Sequence, residues 1–441
     1  MNIKSLLTVL GVSVASMAVG QTTTYPAKPN TGVVVIKNAT VHVGNGQVLS
    51  NTSVRINQSK IEAVGGSVSE AGSNVQVIDA AGKHVYPGLI LPWSTLGLQE
   101  IGGNAVRGSN DFTEIGDNNF HVRAISAYNS SSRIINTLRS NGILLAHVAP
   151  RGGGMASGSS TVVQLDAWNY GDAAYATDNG VVINLPSLLN RRGGGRFAFM
   201  MPQAPQRTDA VAEGMNRIEE LKRFFRGAKA WHEGAAHRET NLRYDALKGL
   251  FNKEQKLYME ASELRQMLVA VDFAKEFGVD VVIVGGTDAY MIPDLLKANN
   301  ISVILSQMHD LPTLADDDID QPFKSALALQ NAGVLYAIND NDSQNRGRNL
   351  PFNAGTAVAF GLTKEQAVQA ITLNAAKILG IDKRTGSIEA GKDANIIISE
   401  GDILDMRSSR VTDAFIEGRK LVLDDVHKQL FERYKHRYNI Q

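Results

Sequence analysis

Five side chains that could take part in acid–base or metal chemistry lie at or just after short apolar runs of the sequence. Two are imidazoles and three are carboxylates: His147, Glu260, Asp288, His309 and Asp340. Imidazole and carboxylate groups bind zinc-type ions and act as general bases in hydrolytic enzymes. Each could also be an ordinary core, rim or helix-start residue, so the chemistry depends on whether the fold brings them together.

Two other patterns in the sequence lack the spacing of true catalytic motifs. His232 and His237 are five residues apart, so on a helix they would diverge by about 140° and could not share a metal ion. The glycine runs at 152–154 and 193–195 do not continue into Gly-Lys-Ser or Gly-Lys-Thr, which excludes a phosphate-binding loop. The first run predicts a loop at the rim of a site, and the arginines around 191–208 could bind a substrate carboxylate.

The composition indicates a globular protein that acts on or binds a small molecule. Of 441 residues, 43% are hydrophobic and 20% are charged, and 44 basic side chains balance 44 acidic ones. No block of like charge suggests a nucleic-acid or anionic-membrane surface. Residues 1–20 have the charge and apolar run of a signal peptide, which predicts a periplasmic or secreted protein. No later stretch is long enough to span a membrane, and without cysteine no disulfide is expected.

The elements that would position the candidate side chains change in type along the chain. After a polar linker at 21–32, short β-rich runs occupy residues 33–86, and a second β-rich part lies at 386–423. Between them, residues 87–385 alternate branched apolar runs with helical stretches, which favours a parallel β/α barrel over a doubly wound sheet. A last helix is predicted at 424–441. Because barrel strands end at one mouth, side chains at their ends could meet there.

Several segments of the chain carry a resemblance to a known family. Pro87-Gly88-Leu89-Ile90 opens the first predicted barrel strand, Thr372 to Gly380 reads TLNAAKILG, and Gly386 to Ala394 reads GSIEAGKDA. These segments resemble the amidohydrolase superfamily, and most closely its imidazolonepropionase-like branch. The resemblance covers Val33 to Leu423. It implies a (β/α)8 TIM-type barrel with a small β-sandwich formed by both chain ends, which explains the two separate β-rich parts.

The resemblance also implies where the chemistry would take place. Family members hold one or two zinc-type ions at the barrel mouth, and an Asp of the last strand takes a proton from the metal-bound water. Asp340 is the best match to that Asp, with Asn341 as the alternative, and Asp340 is the predicted catalytic base. The family's histidine positions hold other residues in this chain: Trp93, Thr95, Glu260, Ser262 and Gly285. A normal two-metal site is therefore not expected, although Glu260 could still bind a divalent metal.

Two functions follow from these residues. The first is an amidohydrolase-type hydrolase that cleaves a carbon–nitrogen bond, other than an ordinary peptide bond, in a cyclic amide, imide or small dipeptide-like substrate. Its predicted substrate contacts are His147, His309, Trp93 and Asp288. The second is a degenerate pseudoenzyme in which Trp93 fills the space of a metal and offers a stacking face.

The pseudoenzyme would bind a small ligand or regulate a partner hydrolase. Either kind of protein could form a homo-oligomer or pair with a partner amidohydrolase. The two functions differ in one geometric expectation, because a rearranged active site needs four side chains to converge at the mouth: His147, Glu260, His309 and Asp340. Scattered side chains would exclude that rearranged site.

Overall fold

A computed structural model describes most of the chain, in the ranges 25–72, 74–100, 110–189, 209–234, 239–306, 308–312, 317–340 and 346–440. The predicted signal peptide and the arginine-bearing stretch at 191–208 lie outside the described residues. Within these ranges the chain forms two sheets, and helices pack around the second one. No helix of the described part is long and apolar enough to cross a membrane.

The strands are short and rich in branched residues, as expected for buried sheet positions. In chain order the described strands are β1 (Val33–His42), β2 (Val48–Asn57), β3 (Lys60–Gly65), β4 (Val75–Asp79), β5 (His84–Pro87), β6 (Leu89–Ser94), β7 (Ile143–Val148), β8 (Ala156–Gln164), β9 (Ala174–Asn184), β10 (Lys256–Ala261), β11 (Val281–Gly285), β12 (Ser302–Leu305), β13 (Tyr336–Ile338), β14 (Ile396–Ser399), β15 (Val411–Ile416) and β16 (Arg419–Lys420).

The helices follow the apolar periodicity of the sequence, and several carry a local start signal. For example, Thr363 and Gln366 form a capping box in which each side chain accepts a hydrogen bond from the other's backbone N–H. The described α-helices are α1 (Ala124–Ala127), α2 (Arg133–Ser140), α3 (Tyr170–Ala173), α4 (Ala210–Glu233), α5 (Leu242–Asp245), α6 (Lys248–Phe251), α7 (Leu264–Phe277), α8 (Pro293–Ala298), α9 (Gln321–Ala332), α10 (Leu350–Ala359), α11 (Lys364–Ala370), α12 (Leu373–Leu379) and α13 (Val426–Arg437).

The first sheet unites the two β-rich parts of the chain. Its strand order is β16-β15-β14-β5-β1-β2-β3, with β4 also paired to β1. The two parts join where β14 runs antiparallel to β5, with Ile396 opposite Pro87 and Ser399 opposite His84. The predicted composite β domain is therefore confirmed, and its core is a cluster of branched side chains from both parts.

The second sheet is the wall of the barrel, and its eight strands follow one another in chain order from β6 to β13. All neighbours are parallel except β8, which runs antiparallel to both β7 and β9. Between the first and last strands, the backbone N–H of Trp93 donates to Asn339 Oδ1 at 3.2 Å. The sheet is thus a nearly closed barrel of the TIM type, as predicted, with one reversed strand.

The barrel interior is filled by alternate side chains of the strands, because successive residues of a strand point to opposite faces. Tyr258, Val282 and Ile304 belong to one buried cluster together with Trp93. Glu260 comes two residues after Tyr258 and therefore points to the same inner side, one layer nearer the mouth. The interior below the mouth is a packed core.

A buried carboxylate makes contacts that join the two domains. Asp393, just before β14, accepts a hydrogen bond from the Tyr175 hydroxyl of the barrel at 2.5 Å. The same carboxylate pairs with Lys60 at 2.6 Å and with Arg384 at 3.2 Å, and the Arg384 guanidinium lies over the Tyr175 ring. The family-like segment that ends in Asp393 and Ala394 thus holds the β domain against the barrel.

Candidate functional site at the barrel mouth

A cavity of about 390 Å³ opens at the mouth of the barrel. Its walls come from the carboxyl ends of β10, β11 and β12 and from residues that follow β7, β9 and β13. The polar residues that line it are Arg151, Glu260, Ser262, Glu263, Gln266, Thr287, Ser306 and Asn339. The cavity lies at the barrel end where enzymes of this fold bind their substrates.

Glu260 is the predicted metal ligand, and the structure places its carboxylate in the cavity wall. Its Oε1 atom accepts a hydrogen bond from the indole N–H of Trp93 at 3.3 Å and lies 3.3 Å from Nε of Arg151. Burial raises the pKa of Glu260, although Arg151 and the Trp93 N–H act in the opposite direction. The carboxylate is thus held by one N–H donor, from Trp93, and by an ion pair with the Arg151 cation.

Trp93 occupies one of the family's histidine positions and lies beneath Glu260, outside the cavity lining. Its side chain is 3% exposed, and its ring contacts His147 edge-on at 5.3 Å and Tyr258 at 5.5 Å between centroids. The N–H reaches the carboxylate while the ring packs on the core, which satisfies both the polar and the apolar parts of the indole. The indole therefore fills space at the place where the family presents an imidazole.

His147 lies in the barrel wall beside the Trp93 ring and is completely buried. Its Nδ1 atom is 3.0 Å from the Pro92 carbonyl oxygen, which can only accept, so Nδ1 carries the proton. Burial lowers the pKa of His147 to about 4, against the smaller stabilisation of the charged form by Pro92 and Asn179. His147 is therefore neutral near pH 7 and is absent from the cavity lining.

Arg151 belongs to the loop between β7 and β8, where only the glycine run had been noted in the sequence. Its backbone N–H donates to the Phe112 carbonyl at 2.6 Å. The glycines that follow permit a close backbone contact, since a Cβ at Gly153 would lie 2.4 Å from the Glu114 carbonyl oxygen. The loop is thus packed on a neighbouring segment and presents Arg151 to the cavity.

The last barrel strand presents an amide to the cavity, and the predicted base lies elsewhere. Asn339 lines the cavity, whereas Asp340 is 1% exposed and its Oδ2 accepts a hydrogen bond from Asn353 of α10 at 3.1 Å. Successive residues of a strand point to opposite faces, which explains the difference. Ala337 packs in the barrel interior, and Asn339, two residues later, points to the same side. The strand of three residues is too short for its parity to be assigned from the sequence alone.

Asp288 and His309 also lie outside the cavity lining. Asp288 is buried and accepts the backbone N–H of Leu264 at 2.9 Å, at the start of α7. Burial raises the pKa of Asp288, and the nearby carboxylates of Asp317 and Glu263 act in the same direction. His309 is exposed, and its Nε2 atom lies 2.8 Å from the Thr356 hydroxyl of α10. The structure therefore brings Trp93 and Glu260 together at the mouth, with His147 behind them, and does not bring Asp288, His309 or Asp340 to them.

The donor set at the mouth does not fit a divalent metal ion. Across the described ranges, no group of three or more His, Cys, Asp or Glu side chains is arranged to hold one. Glu260 already faces the Arg151 cation, which would repel a metal at the same carboxylate. At Gly285, another histidine position of the family, φ is 104° and a Cβ would lie 2.6 Å from Ser262 Oγ, so a histidine would not fit without a shift of the backbone.

Comparison with known proteins agrees with this architecture. A family model described as "Amidohydrolase family" matches residues 243–422. A crystal structure of an amidohydrolase from Thermotoga maritima superposes with a TM-score of 0.71 at 24% identity, covering 88% of this chain and 99% of that one. Residues 243–422 thus match the amidohydrolase family, and the chain as a whole has the fold of an amidohydrolase. An adenosine deaminase from Xanthomonas campestris with bound zinc shares the fold more distantly, with a TM-score of 0.51 at 16% identity over 95% of this chain and 99% of that chain.

Curated amidohydrolase relatives match shorter parts of the sequence. Imidazolonepropionase of Thermoplasma volcanium is 36% identical over 86 residues, which is 19% of this chain and 21% of that protein. Amidohydrolase tasK of Hapsidospora irregularis is 23% identical over 398 residues, covering 79% of this chain and 39% of that protein. The chain therefore spans between about a fifth and two fifths of the length of these two relatives.

Proposed function

We propose that this amidohydrolase-type barrel binds a small zwitterionic ligand at its mouth and has lost the metal chemistry of its family. One observation carries the proposal: the indole N–H of Trp93 and the Arg151 guanidinium both contact the Glu260 carboxylate. These two groups take up the position around Glu260 that a metal ion would need. The mouth then offers a paired cation and anion to a ligand in place of a Lewis acid.

The proposed ligand class follows from the charges of the cavity. The side chains of Arg151 and Glu260 remain 41% and 23% exposed. Each can therefore give up part of its contact with the other and bind a ligand group instead. A ligand carboxylate would bind the Arg151 guanidinium, and a ligand ammonium or amide N–H would bind Glu260. Ser262, Ser306 and Asn339 supply further hydrogen bonds. The 390 Å³ volume suits an amino acid, a dipeptide or a small cyclic amide.

The proposal is tested by metal analysis of the purified protein together with calorimetric titration of dipeptides, cyclic amides and amino acids. We expect no stoichiometric metal, no turnover of these compounds, and binding that is unchanged by a chelator. Glu260→Gln and Arg151→Met should each weaken binding by roughly tenfold or more, because a charged hydrogen bond contributes about 1.5–3 kcal/mol. Asp318→Asn, at an exposed carboxylate that is not part of the cavity lining, serves as the matched control. Stoichiometric metal with chelator-sensitive turnover would overturn the proposal.

Hydrolysis without a metal is the second candidate, and the raised pKa of Glu260 favours it. In that reaction Glu260 takes a proton from water, the hydroxide adds to a carbonyl carbon, and Arg151 stabilises the oxyanion. The carbon–nitrogen bond then breaks as Glu260 returns the proton to the leaving nitrogen. Turnover that survives a chelator and disappears in Glu260→Gln would establish this reaction in place of simple binding.

Export of the protein remains a separate proposal, supported by the sequence of residues 1–20. Cleavage after Gly20 would leave Gln21 at the start of the mature chain. Mass spectrometry of the protein recovered from the periplasm or medium should find that terminus. An intact Met1 in protein from the cytoplasm alone would contradict export.

A further inference from the structure

The last helix, α13, carries a large apolar surface that the described part of the chain leaves uncovered. None of its residues is buried. Seven of the 20 exposed large apolar side chains in the described residues lie on or beside this helix: Val422, Val426, Leu430, Phe431, Tyr434, Tyr438 and Ile440. A helix of 12 residues is marginally stable in water unless its apolar face packs against something. The helix therefore needs a partner surface.

The apolar residues of α13 form a stripe that is symmetric along the helix. Val426, Leu430, Tyr434 and Tyr438 recur every four residues, so each is rotated by only about 40° from the one before. Glu432 is midway between Val426 and Tyr438 in the sequence, but its side chain points to the opposite side of the helix, about 180° away. A second α13 in antiparallel orientation would place Val426 against Tyr438 and Leu430 against Tyr434. Because the pair is symmetric, each of these contacts would occur twice.

The charges of α13 are complementary to an antiparallel copy of itself. Asp424 precedes the helix, and the last turn carries Lys435, His436 and Arg437. Asp425 is buried and caps the helix by accepting the backbone N–H groups of His427 and Lys428. Antiparallel pairing brings the acidic start of one helix to within a turn of the basic end of the other. It also sets the partial positive helix start beside the partial negative end of its partner, which is favourable.

We propose that α13 is a dimerisation helix that pairs antiparallel with α13 of a second copy of this chain. The contact is isologous, with the same stripe on both subunits and a two-fold axis near residue 432. Stripes with four-residue spacing interlock at a helix crossing angle of about −50°. The pair buries Leu430 and Tyr434 at its centre.

The test is sedimentation equilibrium of the full chain with light scattering as a second measurement. We expect the wild-type protein to have twice the mass of one chain at micromolar concentration. The double substitution Leu430→Glu with Tyr434→Glu should give a monomer with an unchanged unfolding temperature for the barrel. Leu268→Glu, at an exposed apolar residue of α7, is the matched control and should remain dimeric. A wild-type protein that stays monomeric at all concentrations would overturn the proposal.

A charge exchange tests the antiparallel orientation directly. Asp424→Lys alone and Arg437→Glu alone should each weaken the dimer by roughly three- to tenfold, because each loses two symmetric charge pairs. The combined variant should regain most of the wild-type affinity. A combined variant no stronger than either single one contradicts the antiparallel pair. Monomeric wild-type protein that binds anionic phospholipid vesicles, and loses this binding in the Leu430→Glu and Tyr434→Glu variant, would instead identify the stripe as a membrane-surface contact.

Discussion

The indole N–H of Trp93 donates a hydrogen bond to the Glu260 carboxylate at the barrel mouth. The charge of this carboxylate therefore depends on how the Trp93 ring is packed. The indole ring is held in turn by His147 and Tyr258. A metal ion at Oε1 of Glu260 would have to displace Arg151 and break the indole contact at the same time. At the residue scale, the proposed loss of the family's metal is therefore supported by packing as well as by the missing imidazoles.

Trp93→Phe keeps an aromatic ring beneath Glu260 and removes the N–H donor. Because that donor lowers the pKa of Glu260, the substitution should raise the pKa of this carboxyl further. The measurement is the carboxyl carbon shift of Glu260 by NMR as a function of pH, with Glu263 as an internal reference. A pKa that falls or stays constant would show that the indole N–H does not stabilise the charged carboxylate.

His147 should make the stability of the protein depend on pH. Its pKa falls from 6.5 to about 4 on burial, so the unfolded chain binds a proton more readily than the folded one between these values. The free energy of unfolding should therefore decrease as the pH falls from 6.5 towards 4, by up to about 3 kcal/mol. Denaturant unfolding of wild type and His147→Gln at several pH values measures this, and parallel curves for the two proteins would contradict it.

At the scale of secondary-structure elements, the mouth is built by strand ends whose side-chain parity decides what faces the ligand. Asn339 and Asp340 are neighbours, yet one lines the cavity and the other bonds to α10. Asp288 likewise follows β11 but caps the start of α7. Position near a strand end is therefore insufficient to assign a residue to the site.

Asp288 gives a test of this distinction. Asp288→Asn keeps an acceptor for the Leu264 N–H and removes a charge that burial disfavours, so stability should be equal to or above that of wild type. Asp288→Ala leaves the Leu264 N–H without this acceptor, although Glu263 and Gln266 still form a capping box, and should cost about 1–2 kcal/mol. Both variants should bind the mouth ligand as wild type does. A large loss of binding in Asp288→Asn with normal stability would show that Asp288 belongs to the ligand site.

The sequence predicted the barrel, the composite β domain and the family, because these depend on apolar runs and on long segments such as Gly386 to Ala394. It also predicted that Glu260 lies at the mouth, because Glu260 stands near the end of one of these apolar runs. It did not predict Arg151, whose approach to the cavity depends on the packing of the loop against Phe112 and Glu114. Nor did it separate Asn339 from Asp340, since the strand before them is only three residues long and its parity is set by pairing with β12.

At the scale of the whole molecule, the β domain and the barrel are fixed to each other by the contacts of Asp393. The carboxylate is 4% exposed and is shared by Tyr175, Lys60 and Arg384. A second buried carboxylate, Asp166 of the barrel, pairs with Arg139 and with Arg419 of the β domain. The two parts should consequently unfold together.

Asp393→Ala removes one of these two links and should lower the free energy of unfolding by about 2–4 kcal/mol. Scanning calorimetry should show a lower and broader transition, since the β domain is then held less firmly than the barrel. Asp318→Ala removes a carboxylate that is 75% exposed and should change stability by less than about 0.5 kcal/mol. Equal effects of the two substitutions would mean that the Asp393 contacts do not join the domains.

The reversed strand β8 changes what the mouth can become. In a regular β/α barrel each loop at the mouth leads to a helix, whereas here the loop between β7 and β8 connects two adjacent wall strands and is anchored at both ends. The backbone of residues 149–155 is fixed by its contacts with residues 112–117, while the Arg151 side chain reaches the cavity. Substitutions at Arg151 that keep Gly153 and Gly154 should alter the charge offered to ligands while the parallel strands, the helices and the β domain keep their contacts, which makes this position the natural starting point for engineering new binding specificity.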